Sequence, residues 1–384
     1  MPPEATPLRA GTSAVVTTVA TVCPVFLVGG LSVQIGQELH FTPSGLGLAV
    51  ASYFTASALA SFWAGRLVER MGSKFVAKAA ILLAAGSLAA IAVAARDLTS
   101  LTLLLVLAGP ANSLGQLSSN ALLARKVPPK RRGLMFGVKQ AAIPLSTTLA
   151  GLAVPIVALT VGWRWGFGVA AVLALLAWPV LPRTEEAGPQ PGRPKPQLRP
   201  NATLVVISLA ACLGATAANP VGSFIADYGV SQGMSESLSG LNLTLGGLAG
   251  VAARTTVGWM ADRRDSGRLV MIAVMLAVGS AGLALLAAPG VWTIPIGTVA
   301  GFALGWAWPG LLNFAITLRY SQAPAAATGI TQIGVYIGGG LGPLAFGALV
   351  DAWGYPVGWL TMAVLMLAGA VLMIVGRRML LTTT

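Results

Sequence analysis

Charge is what this sequence has least of. Only 9% of its 384 residues are Asp, Glu, Lys or Arg, while 55% are hydrophobic, a balance that leaves too little polar surface for a soluble protein of this length. Acids are the scarcer sign, 11 against 24 bases, and none of them stands in the middle of an apolar run. A carrier of organic cations would neutralise its cargo with such an acid, so that class is disfavoured. One histidine and two cysteines are too few and too scattered for a metal site: His40 has no companion ligands, and Cys23 and Cys212 fall inside apolar runs as packing residues. No Gly-rich loop ends in Gly-Lys-Ser/Thr, which removes ATP-driven transport by this chain. No catalytic residue, cofactor or metal is therefore expected. The opening residues, with Pro2, Pro3 and Glu4, also lack the cleavage site of a signal peptide.

Long apolar runs are what is there. A span of about 20 apolar residues crosses a hydrocarbon core, and the length accommodates about twelve such helices with short connections. An all-α, multi-pass membrane protein follows. Nearly all of the 24 Lys and Arg gather in loops on one side, among them Arg66, Arg70, Lys74, Arg125, Arg131, Arg263 and Arg264, and only Arg96 and Arg164 lie in loops on the other. This bias makes the basic side cytoplasmic, with both termini on it and the chain in a plasma membrane, the inner one in a bacterium. It also explains the net charge of +13 without a nucleic-acid partner. Residues 183–200 carry five prolines among glycines and mixed charge and cannot continue a helix. They divide the chain into halves, 1–182 and 201–384, joined by that cytoplasmic linker.

The halves repeat. Gly65 pairs with Gly258 at a spacing of 193 residues, while Gly137 and Gln140 pair with Gly329 and Gln332, and Gly162 with Gly354, at 192. Separated matches at one spacing predict two parallel six-helix bundles. Within them Gly65, Glu69, Arg70 and Gly72, followed by Lys74, form a pattern echoed by Gly258, Asp262 and Arg263, with Asp265 where the last glycine would stand. The pattern resembles the signature between the second and third helices of the major facilitator superfamily. That resemblance implies twelve transmembrane helices in two pseudo-symmetric bundles that rock about a central site. It also implies a gating role for Gly65, Glu69, Arg70, Gly258, Asp262 and Arg263, whose charge-assisted contacts to helix ends form in one state and break in the other. Glycines recur at helical spacing in Gly338, Gly342 and Gly347, where close helix packing is expected, and the run ending at Gly342 and Pro343 is a candidate flexing point.

Two cations belong to neither side. Lys139 lies about 10 Å into its helix at 1.5 Å per residue, and Arg254 lies at a similar depth before the second signature. A cation so deep costs on the order of 2 to 3 kcal/mol and marks a functional site by default. Small and polar residues flank both, so their faces read as cavity linings. In the superfamily the helices that carry them adjoin across the seam between halves. Arg254, four residues before Gly258, also resembles the arginine of oxalate/formate and monocarboxylate carriers, although Gly250 replaces the acid that precedes it there. Two such cations call for an anion between them; the alternative is that each bonds to helix carbonyls. Gln140, Asn112, Asn219, Tyr336 and Gln332 are candidates to complete the pocket. Asp227 and Glu38, near the outer helix ends, are candidates for proton coupling. The expectation is a monomeric secondary transporter of a small organic anion, such as a monocarboxylate, working by alternating access with protons as a possible coupling ion. The rival is an efflux carrier for hydrophobic, drug-like compounds.

Overall fold

The computed structural model describes residues 7–128, 131–181, 201–264, 266–321 and 324–382, so the expected linker at 183–200 lies outside it. All regular structure among the described residues is helical. In chain order the helices are α1 (Pro7–Gly30), α2 (Ser32–Leu39), α3 (Pro43–Ala94), α4 (Leu98–Lys126), α5 (Arg132–Ala153), α6 (Leu159–Val161), α7 (Trp163–Leu176), α8 (Ala202–Ser231), α9 (Glu236–Asp262), α10 (Arg268–Leu286), α11 (Thr293–Ala300), α12 (Pro309–Arg319) and α13 (Pro324–Thr382). Wide π-turns, Val154–Ala158 and Gly301–Gly305, follow α5 and α11.

Among the described residues, nine helical segments are long and apolar enough to cross a membrane. Two are of double length: α3 has 52 residues and α13 has 59, far more than the roughly 20 that one crossing takes. Each reverses at a glycine, Gly72 (φ 81°) in α3 and Gly354 (φ 82°) in α13, because a positive φ suits a residue without Cβ. Gly162 (φ 99°) does the same before α7. Gly162 and Gly354 are a pair aligned by the repeat spacing, so the two halves turn in the same way at the same place. Gly65, Glu69 and Arg70 stand on helical backbone ahead of the Gly72 break, and the signature is a helix end rather than an open loop. Residues 338–343 also stay helical, Gly354 being the only break inside α13. A Cβ on Gly338 would strike the Cys212 carbonyl, and one on Gly342 the Thr216 carbonyl. These glycines seat α13 on α8 and do not hinge it.

We call the end that carries Lys74, Arg132 and Arg263 the basic end and the opposite one, with His40 and Glu236, the far end. The halves meet along seams built from small residues, since in lipid only close packing and hydrogen bonds draw helices together; at one of them Gly29 of α1 abuts Ser223 of α8. On the α5–α9 seam, a Cβ at Gly137 would meet the Arg254 carbonyl at 2.6 Å and one at Gly258 the Gly133 carbonyl at 2.7 Å, while Gly151 faces the Gly240 carbonyl. That seam is tight from end to end. The α3–α13 seam is tight at the far end, where Gly47 abuts the Pro343 carbonyl and Gly347 the Pro43 carbonyl. At its basic end Gly65 and Gly329 do not touch, and a Cβ on either meets no described atom within 4 Å.

Acids clasp both ends. At the basic end the Asp262 carboxylate accepts hydrogen bonds from the Gly133 and Leu134 amides, both at 2.8 Å, and so caps α5 with an anion where the helix dipole is positive. At the far end Asp351 accepts from the Thr42 hydroxyl (2.7 Å) and the Ser44 amide (3.0 Å) at the start of α3. Glu236 accepts from Gln34 (2.7 Å) and Gln37 (3.1 Å).

Candidate functional site

Proline chemistry explains where Arg254 sits. In α5, Pro144 has no N–H to offer the carbonyl four residues back, that of Gln140. A carbonyl so orphaned inside a membrane needs another donor, and Arg254 supplies it, its Nη1 donating to Gln140 O at 2.6 Å. Its Nη2 donates to Trp306 O, also at 2.6 Å. Trp306 lies in the break between the Gly301–Gly305 π-turn and α12, a broken helix of the kind found only where backbone lines a cavity. The guanidinium carbon stands 5.4 Å from the Trp306 ring centre. Two of the five guanidinium donors are thereby committed and three are not. The Arg254 Nε is buried and donates to no described residue.

A cavity of about 100 Å³ opens beside this group, between the halves. Of the residues expected to form a pocket, Asn112 (α4), Gln140 (α5), Asn219 (α8), Arg254 (α9), and Gln332 and Tyr336 (α13) all line it. Phe26, Phe54 and Trp306 form its aromatic side, and none of its lining residues is a carboxylate.

Lys139 stands one side chain back. It is fully buried and its ammonium donates to Gln116 Oε1; Gln116 in turn faces the cavity. The two cations stand on α5 and α9, which pack against each other, but only Arg254 is in the lining. Gln116 and Asn120 were missed in the sequence. Their signal was present: Asn112, Gln116 and Asn120 recur every four residues, which puts them on one face of α4.

The polar atoms in the lining are incompletely matched. Asn112 Oδ1, Asn120 Oδ1 and Gln140 Oε1 are buried and accept no hydrogen bond from any described residue. Asn219 Nδ2 donates to Ala215 O at 2.8 Å. Buried polar atoms are normally paired, and these belong to residues that line one cavity together with Arg254.

A family model described as Major Facilitator Superfamily matches residues 14–320 and, in a second match, residues 204–379. The chain belongs to the major facilitator superfamily. It is therefore a multi-pass membrane transporter, and its fold is the helical one that the apolar runs and signatures implied.

The remaining residues singled out in this superfamily member lie at the two ends. At the basic end Gly258 packs on Gly133 and Gly137, Asp262 caps α5, and Arg263 lies over the Trp259 ring, 3.7 Å from its centre. Its counterparts Gly65, Glu69 and Arg70 stand at the basic end of α3, where a Cβ on Gly65 meets no described atom within 4 Å. At the far end Glu38 accepts from Trp163 Nε1 at 2.6 Å and from Arg164 Nη2 at 2.7 Å. Burial works to raise the Glu38 pKa, but these two hydrogen bonds and the Arg164 charge outweigh it and hold the carboxyl below its ordinary value. Asp227 accepts a hydrogen bond from the Tyr355 hydroxyl and borders a far-end pocket of about 250 Å³ with Ser32, Gln37 and Thr42.

Proposed function

We propose that this transporter is a secondary carrier that moves a small organic anion by alternating access. The observation that carries the reading is a cavity between the halves whose one charged lining group is the Arg254 guanidinium, with Lys139 buried behind it and no carboxylate in its wall. An anion there replaces a missing counter-charge in a medium of low dielectric, where a lone cation is costly. Arg254 binds the anion directly with its uncommitted donors, and Lys139 acts through Gln116. Asp227 is the better proton-coupling candidate, because Glu38 is tied to Arg164.

In this reading the chain makes twelve crossings. The nine apolar segments become eleven when α3 and α13 are each divided at their glycine, and α9, at 27 residues, is the last. The bundles are 1–182 and 201–384, both termini and the 183–200 linker are cytoplasmic, and the membrane is the plasma membrane, as the distribution of Lys and Arg supports. The tight far end is then closed toward the outside, while at the basic end the α5–α9 side stays clasped by Asp262 and only the α3–α13 side leaves space at Gly65 and Gly329. The carrier works as a monomer.

The test is uptake of radiolabelled carboxylates into proteoliposomes, with and without a pH gradient. Saturable uptake is expected, reduced on the order of a hundredfold by Arg254→Ala, the loss that follows when a charge-assisted ligand contact is removed. Lys139→Ala weakens it less. Carboxylate uptake that Arg254→Ala leaves unchanged refutes the reading. Efflux of hydrophobic compounds, favoured by the Phe26, Phe54 and Trp306 wall, predicts dye resistance on overexpression that is independent of Arg254.

A further inference from the structure

The amides around the cavity are not interchangeable, because the surrounding hydrogen bonds orient two of them. The Ser113 hydroxyl donates to the Ser57 carbonyl, so in the contact between the Ser57 and Ser113 hydroxyls (3.0 Å) Ser57 is the donor. The Ser57 oxygen then has only a lone pair for Asn112, which must present its NH₂; Asn112 Nδ2 lies 3.0 Å from it. Asn112 Oδ1 is thereby fixed as an acceptor that no described residue fills. Gln116 is fixed in the opposite sense. Its Oε1 is taken by the Lys139 ammonium, so what it can offer a ligand is its N–H donors.

The wall therefore presents two kinds of group. Arg254 and Gln116 donate, which suits a carboxylate. Asn112 Oδ1 accepts, and an acceptor asks the ligand for an O–H or N–H group; Asn120 and Gln140, whose side-chain amides no hydrogen bond with a described residue orients, can offer either an oxygen or an NH₂ to a hydroxyl, which both donates and accepts. An ammonium would satisfy Asn112 Oδ1 too, but it would enter beside Arg254 and Lys139 with no carboxylate in the lining to offset it. A hydroxyl brings a donor without a charge. The cavity, about 100 Å³, is also small beside the roughly 300 to 1,000 Å³ of drug-sized sites.

Resting on the anion reading above, we infer that the cargo is a short hydroxylated carboxylate, its carboxylate held by Arg254 and Gln116 and its hydroxyls by Asn112, Asn120 and Gln140. Lys139 is a positioning residue that sets the Gln116 amide. A plain aliphatic acid of the same length leaves the buried Asn112 acceptor unpaired, and a site built for a hydroxyl rejects the analogue that lacks it.

The experiment compares three three-carbon probes in proteoliposomes that contain the full chain: glycerate, propionate, which lacks the hydroxyls, and glycerol, which keeps hydroxyls and lacks the charge. The expected result is that glycerate is taken up with an apparent KM at least tenfold below that of propionate and that glycerol is not carried. Asn112→Leu narrows the gap between the two acids. Ser57→Ala, which frees the Asn112 amide to turn, narrows it less and serves if the leucine variant does not fold. Equal KM values for glycerate and propionate overturn the hydroxyl inference and leave the anion reading standing. Glycerol carried as well as glycerate overturns the anion reading. Uptake of neither acid overturns both.

Discussion

Replacing Asp262 by Asn tests whether the α5 cap holds the basic end together. The carboxylate takes two amide hydrogen bonds at once, Gly133 N and Leu134 N at 2.8 Å each, and it places a negative charge at the positive end of α5. Asparagine keeps one acceptor oxygen, turns an NH₂ toward the second amide and removes the charge. Losing one charge-assisted bond is worth about 1.5 to 3 kcal/mol, and a helix-end charge that is partly buried contributes up to about 2 kcal/mol. These overlap, and about 2 kcal/mol in total is a cautious sum, equivalent to roughly a 30-fold shift in a two-state equilibrium. Spin labels at Ala124→Cys on α4 and Leu318→Cys on α12, with Cys23 and Cys212 replaced by alanine, report the separation of the halves at the basic end by electron–electron double resonance. Asp262→Asn is expected to move most of the distance distribution to longer values. An unchanged distribution in a folded variant would show that α5 and α9 are held by glycine packing alone and that the cap has no gating role.

Two further outcomes follow from the same geometry. Gly258→Leu places a side chain where the Gly133 carbonyl lies 2.7 Å from a Cβ position; overpacking of about 1 to 3 kcal/mol should lower the thermal midpoint by several degrees and cut transport, whereas Gly65→Leu, with no described atom within 4 Å of its Cβ, should leave the midpoint near that of the wild type. The Arg164–Glu38 pair gives a pH signature. Because the folded pKa of Glu38 is held below its ordinary 4.5, the pair's contribution to stability is complete above that value and is lost as pH falls through the lower folded value. Thermal melts from pH 7 downward should show this acid-side loss in the wild type, and Arg164→Leu should remove that part of it; a variant that keeps the full acid dependence places its origin elsewhere.

Several features could be read along the chain because they are local or periodic. Apolar runs mark the spans, since lipid demands a continuous apolar face. The 192-residue spacing between Gly162 and Gly354 marks the repeat, since both positions need the same glycine backbone. Lys139 and Arg254 stand out because few charges occur among apolar neighbours. The pocket polar residues were also visible one by one, and the four-residue rhythm of Asn112, Gln116 and Asn120 lay open to the same reading. Other features depended on convergence. Arg254 bonds to the carbonyls of Gln140 and Trp306, and every residue has a carbonyl, so no side-chain pattern names the partners. The separation of Lys139 from the cavity by Gln116, and the direction in which Asn112 points, follow from hydrogen bonds between α3, α4 and α5.

What the sequence alone determined is the class of molecule: a helical membrane protein of two like halves, with scarce buried charge of one sign and glycines that let helices touch. What only the tertiary structure decided is which of those groups share a cavity, which donors are already taken, and which seam is tight. The physical reason is that helix formation depends on neighbours a few residues away, whereas hydrogen-bond satisfaction depends on atoms from α4, α5, α8, α9 and α13 arriving at one place.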